Sequence, residues 1–88
     1  MENHERRGTI VVARCYGDTA AILKVWAEDG NMVLLSNAEQ FHRLSTGIDA
    51  IAPIGFARGD VFEYDGHVKS GQRVDWTTLK PYEALSRQ

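Results

Sequence analysis

The residues of this 88-residue chain whose types could support catalysis or metal binding are three histidines, one cysteine and a short acidic run. His4, His42, His67 and Cys15 are scattered, with no C-x2-C or H-x3-H spacing. Structural zinc sites take four ligands, typically brought in such pairs, so no metal site is expected and the histidines read as surface residues. Cys15 could act as a nucleophile only with a base beside it and some exposure. Inside the apolar run Thr9–Tyr16 it reads as a small buried hydrophobe instead. Asp60, Glu63 and Asp65 could hold a cation or share acid and base roles, but the spacing is not that of a calcium-binding EF-hand. A solvated acidic rim between strands is the simpler reading. Arg58-Gly59-Asp60 spells an integrin-type tripeptide, in which Gly59 more simply supplies a turn. The glycines match neither a phosphate-binding loop nor a dinucleotide fingerprint. No catalytic residue, metal or cofactor is expected.

The aromatic residues Tyr16, Trp26, Phe41, Phe56, Phe62, Tyr64, Trp76 and Tyr82 offer a different chemistry. On a small β domain they can stack bases, hold a peptide or anchor a protein interface; equally, a domain this small needs aromatics for its core. Trp26 alternates with Lys24 along one stretch, and a lysine keeps its ammonium in water. That face is therefore expected near solvent or a partner, and Trp26, Lys24, Val33, Leu35 and Tyr16 are the candidate interface residues.

The elements that must position these residues are mostly strands. Thr9–Tyr16 is β-branched and almost continuously apolar, as in a strand covered on both faces. Ala20–Ala27 and Met32–Leu35 flank Glu28-Asp29-Gly30-Asn31, and Asp-Gly between apolar runs predicts a hairpin with a type I′ turn at Asp29-Gly30. That register sets Trp26 opposite Val33 and Val25 opposite Leu34. Both faces of the hairpin are apolar and need cover, unlike a sheet with one wet side. Ser36 with Glu39 three residues on predicts a capping box opening a short helix that Gly47 stops. Residues 48–56 return to strand composition, with Pro53 confining them to an edge or bulged strand. Val61–Tyr64 reads as a short strand or a single turn after the Arg58-Gly59 break, His67–Lys69 as a weak strand, and Pro81 as the start of a helix through Leu85.

The expected architecture is mainly β with one or two short helices: a small, strongly bent antiparallel sheet or an SH3-like barrel. Residues 1–7 are expected to be a flexible tail and 8–88 a single domain. The expected core is Ile10, Val12, Leu23, Val25, Leu34, Phe41, Ile51, Ile54 and Phe62.

Composition narrows the function classes. A hydrophobic fraction of 43% with 25% charged residues suits a globular domain rather than a disordered one. No apolar run approaches the 18 or so residues of a membrane span, and no signal-peptide pattern opens the chain. A single cysteine allows no internal disulfide, so a reducing cytoplasmic setting is expected. Ten basic residues face twelve acidic ones, and that balance argues against sequence-independent nucleic-acid binding, which neutralises phosphates with basic excess.

Gly8-Thr9-Ile10-Val11-Val12-Ala13-Arg14, followed by Lys24, Gly30–Leu35 and Phe41, resembles the β-rich peptidase domain of LexA-like repressors over about two-fifths of the chain. The resemblance implies that Lys24 stands where the family has the general base of a serine–lysine pair. The family's nucleophilic serine lies upstream of this strand, whereas none of the seven residues before Gly8 is a serine, and Lys24 lies two residues further from the strand than in the family pattern. What the resemblance implies is thus an inactive relative. The residues taken together lead to a non-enzymatic interaction domain that docks a protein partner or a second copy of itself. A single-stranded nucleic-acid binder using aromatics and Arg6, Arg7 and Arg14 is the alternative.

Overall fold

The computed structural model describes residues 2–82. It contains β1 (Glu2–Asn3), β2 (Ile10–Arg14), β3 (Ala20–Asp29), β4 (Met32–Ser36), helix α1 (Ala38–Thr46), β5 (Ile54–Ala57) and β6 (Val61–Glu63), with short 3₁₀ turns at Tyr16–Asp18, Arg58–Asp60 and Trp76–Thr78. All pairings are antiparallel, and five strands lie in the order β5-β4-β3-β2-β6, with β1 also paired to β3. The domain is mainly β, as the strand pattern predicted.

The connection between β5 and β6 dictates the sheet's shape. These strands occupy opposite edges of the order, yet only Arg58–Asp60 separate them. Four residue steps reach at most about 14 Å, whereas the edges of five flat strands would stand roughly 19 Å apart. The sheet must therefore curl strongly. No ladder joins β5 to β6, so it is bent and not closed into a barrel.

Both faces are covered, as the two-sided apolar pattern required. One cluster unites residues from every strand of the main path: Val11, Ala13, Val25, Val33, Leu35 and Val61, with Phe56 packed against them and Tyr82 inserted from the C-terminal side. This is the inner side of the curl. On the other side Val12, Ala20 and Phe62 pack under Val68, Trp76 and Leu79. Helix α1 lies near Lys24 and Trp26, through Phe41.

Several local expectations are corrected. The hairpin turns one residue later than expected, with Asp29 paired to Met32 and Gly30-Asn31 as the loop. Gly30 has φ of +60° and Asn31 is not in the positive-φ region, which is the sign pattern of a type II′ turn with Gly first. The register also breaks: Val25 pairs with Leu35 but Ala27 with Leu34, leaving Trp26 as a bulge. A bulge shifts the alternation by one. Val25 and Glu28 consequently share the inner face with Leu35 and Val33, where strict alternation would have placed Ala27. Ser36 is the last residue of β4, so the helix cap passes to Asn37, whose Oδ1 accepts the Gln40 N–H at 2.8 Å. Gly47, at φ +78°, ends the helix as expected.

Within the expected flexible tail of residues 1–7, the described part is tied to the sheet. Glu2 and Asn3 pair with Asp29 and Glu28, and Gly8 donates to the Val25 carbonyl at 2.8 Å. Ile10, Ile51 and Ile54 are exposed rather than core, and Leu23, Leu34 and Phe41 are half-buried. His67–Lys69 forms no strand. The helix expected through Leu85 lies mostly outside the described residues; Pro81 itself bridges to Phe62. Among the described residues no helix is long and apolar enough to cross a membrane.

Candidate functional site

Two regions concentrate chemistry, and they sit at opposite ends of β4. The first is built around Glu28, which the Trp26 bulge turns inward and which is only 7% exposed. Its Oε2 is 2.8 Å from Arg6 Nη2 and accepts from Arg6 Nε at 3.0 Å. Its Oε1 is 2.8 Å from Arg58 Nη2. The buried Tyr82 hydroxyl donates to Oε2 at 2.9 Å, and the Arg6 guanidinium lies 4.2 Å over the Tyr82 ring.

Local structure holds each partner in place. Arg6 projects from the turn at residues 4–9, where the Thr9 N–H and hydroxyl both donate to the Arg6 carbonyl at 3.2 and 2.8 Å. Arg58 begins the 3₁₀ turn between β5 and β6; its N–H donates to the Asn31 carbonyl and its Nε to that of Gly30. Burial alone would push the Glu28 carboxyl up, but hydrogen bonds from Arg58, Tyr82 and Arg6, with the nearby Arg6 charge, outweigh it and hold Glu28 below the usual carboxylate range. Burial and the adjacent Glu28 carboxylate push the Tyr82 phenol in the opposite direction, well above its ordinary value. The cluster thus keeps a carboxylate ionised and a phenol protonated. It fastens the N-terminal turn, the hairpin, the β5–β6 connection and the C-terminal segment to one buried point.

The second region lies where β4 ends. A groove of about 120 Å³ is lined by Leu35, Ser36, Asn37, Gln40, Ile51, Ala52 and Ile54. Gln40 Oε1 accepts the Ile51 N–H at 2.8 Å, which pins the segment after α1 against the helix. Ile48, Ile51 and Ile54 are exposed by 52, 68 and 62%. They lead into β5, an edge strand whose outer side meets no other strand among the described residues. Residues 50–57, Ala-Ile-Ala-Pro-Ile-Gly-Phe-Ala, carry no charge.

The residues singled out from the sequence are distributed differently from the single face expected. Val33 and Leu35 are 0 and 1% exposed and belong to the inner core. The Arg7 guanidinium lies 3.6 Å over the Trp26 ring, Arg7 Nε donates to the Trp26 carbonyl at 2.8 Å, and Phe41 meets the ring edge-on at 5.6 Å. Lys24 Nζ lies 5.2 Å over the Phe41 ring. Tyr16 alone of the five is fully exposed, beside Gly17 and Asp18, both at positive φ. Lys24 pairs across the sheet from Ser36, but the buried Ser36 hydroxyl has no hydrogen-bond partner among the described residues. An activated serine needs its base within hydrogen-bond reach, so these two do not form a working pair.

Of the acidic run, Asp65 accepts the His67 N–H at 2.9 Å, and Glu63 and Asp65 line a cavity of about 160 Å³ that also touches Lys80. Among the described residues no three His, Cys, Asp or Glu side chains are grouped to share a metal ion. The Cys15 thiol is half-buried, 3.9 Å from the Ala13 carbonyl. Sequence reasoning placed Arg6 in a tail and Ile51 and Ile54 in the core, so it missed the first region, while its reading of residues 48–56 as an edge or bulged strand agrees with β5 at the sheet's edge. The signal for the second was present in Pro53, which marks an edge strand.

No family model matches this chain, and comparison with curated proteins and with solved structures finds no match either.

Proposed function

We propose that this chain is a non-enzymatic interaction module whose docking surface is the open β5 edge with Ile48, Ile51 and Ile54. One observation carries this reading: three isoleucines stand half to two-thirds exposed beside an edge strand whose outer side no other strand among the described residues pairs. Contiguous exposed apolar surface next to unpaired backbone is what natural β proteins protect unless it serves association. The expected partner is a protein. Trp26, buttressed by Arg7 and Phe41, takes part in packing, and its covered ring face offers little to a nucleobase. A single cysteine fits a reducing, cytoplasmic setting.

The reading is tested by affinity capture from the native cell with the wild-type chain, an Ile51→Asp/Ile54→Lys variant and a Tyr16→Ala variant. A partner retained by the wild type and by Tyr16→Ala but lost from the isoleucine variant supports the surface. A partner lost only from Tyr16→Ala moves the site to the loop after β2.

A further inference from the structure

Resting on that reading of the surface, we infer the chemical class of its occupant: an extended, uncharged, aliphatic segment of a partner protein that adds as a strand to the outer edge of β5 and lodges one side chain in the groove beside Ile51 and Ile54.

Three observations converge on this class. The outer edge of β5 offers backbone donors and acceptors that no strand among the described residues uses. An added strand recovers those hydrogen bonds whatever its sequence, while flanking pockets read alternate side chains. The groove next to it, about 120 Å³ and lined by Leu35, Ile51, Ala52 and Ile54 with Ser36, Asn37 and Gln40 at its helix side, is mainly apolar and has the scale of one aliphatic side chain. Finally, residues 50–57 carry no charge. A charged side chain desolvated there would find no counter-ion along the strand, so an uncharged segment is favoured.

Size decides between a peptide segment and a second copy. β5 has four residues, about 13 Å of strand, and Pro53 removes a donor just before it. The three isoleucines are 52, 68 and 62% exposed, so together they present less surface than two fully exposed isoleucines. A standard interface between folded proteins needs about 800 Å² from each partner. A two-fold contact across β5 would fall well short, whereas a short peptide buries most of itself in such a site. The rim is also set in advance by the Gln40–Ile51 hydrogen bond, which lowers the ordering cost of binding.

The test is an amide-resolved NMR titration of the intact chain with two sets of acetylated, amidated heptapeptides. Each has the form Lys-Thr-Val-X-Val-Thr-Lys, with X as Val, Leu, Ile, Met or Phe and the terminal lysines for solubility. The second set is N-methylated at the alternate positions that would face β5. At least one peptide of the first set should bind with submillimolar affinity and shift the amides of Ile54–Ala57 and of the groove. The N-methylated counterpart should bind roughly tenfold more weakly or worse. Equal affinity of the two sets would overturn strand addition while leaving the docking surface intact. No shift at β5 from any peptide up to millimolar concentration would overturn the inference, and the capture experiment then decides separately whether the surface docks anything. A solution mass that doubles with concentration, and stays monomeric in Ile54→Lys, would put a second copy on the edge and likewise overturn it.

Discussion

At the hairpin end of β4, Glu28 is surrounded by Arg6, Arg58 and Tyr82 with every contact at 2.8–3.0 Å. At the other end, Ile51 and Ile54 border a groove and the edge of β5, which no other strand among the described residues pairs. The expected distribution is thus inverted, with ionised groups inside and large aliphatic groups outside. The difference teaches where this small domain obtains its cohesion. Buried ion pairs contribute little net stability over a well-packed apolar alternative, but removing one partner strands the others without compensation. Glu28 binds four separated stretches of chain to one carboxylate, so the cost of losing it falls on all of them. The isoleucine side chains keep half to two-thirds of their exposure, so they give up little apolar burial and contribute little to the fold.

The sharpest way to break this comparison is to remove the carboxylate. Glu28→Ala takes from Arg6 and Arg58 the carboxylate that they share at the hairpin end and should destabilise the domain by about 3–5 kcal/mol in urea unfolding. A loss under about 1 kcal/mol would mean the guanidinium groups reach water easily, and the distinction between the two ends would collapse. Tyr82→Phe keeps the ring under Arg6 and deletes only the hydroxyl that donates to Glu28. A hydrogen bond to a charged group is worth about 1.5–3 kcal/mol, and the variant should lose an amount in that range.

The same carboxylate predicts a pH dependence. Its folded pKa lies below the ordinary value of 4.5. The stability it contributes is therefore complete above that value and is lost as pH falls through the folded pKa. Stability measured by denaturant unfolding should be level from neutral pH to about 5 and decline below the ordinary value. Glu28→Gln should flatten part of that decline, while an identical acid limb in both chains would assign it to other carboxylates. On the alkaline side Tyr82, raised above its ordinary value of 10.0, contributes stability present below that value and lost as pH climbs through the folded one.

The two ends were unequally legible in the sequence. Strand runs, the hairpin, the helix stop at Gly47 and the need to cover both sheet faces are local signals, and local signals survive folding. The Glu28 cluster is not local. It assembles residues 6, 28, 58 and 82, and the three charged ones each look solvated in their own neighbourhood. Its geometry hinges on the bulge at Trp26, which reverses the alternation for the rest of β3 and brings Glu28, not Ala27, to the inner face. No turn residue or proline announces that bulge. At the other end the edge strand was read from the sequence, but its consequence for the two isoleucines was not. Hydrophobicity alone placed Ile51 and Ile54 in the core, but Pro53 between them marks an edge, and an edge strand beside a short helix has less to bury against.

The smallest expected effect sharpens the comparison from the exposed side. Ile51→Asp/Ile54→Lys replaces two large aliphatic groups with charges, a change that would cost several kcal/mol inside a core. At 68 and 62% exposure these side chains have little burial to lose, and the double variant should unfold within about 0.5 kcal/mol of the wild type. Far-ultraviolet circular dichroism and urea midpoints measure this directly. A cost above about 2 kcal/mol would show that the isoleucines are covered in solution. If that cost also varied with protein concentration, the cover would be another copy of the chain. If it did not, the cover would come from the chain itself, and the search for a partner would move to Tyr16. A near-zero cost leaves the isoleucines uncovered in the free domain, and exposed aliphatic side chains beside a strand edge that no strand among the described residues pairs are what strand addition requires.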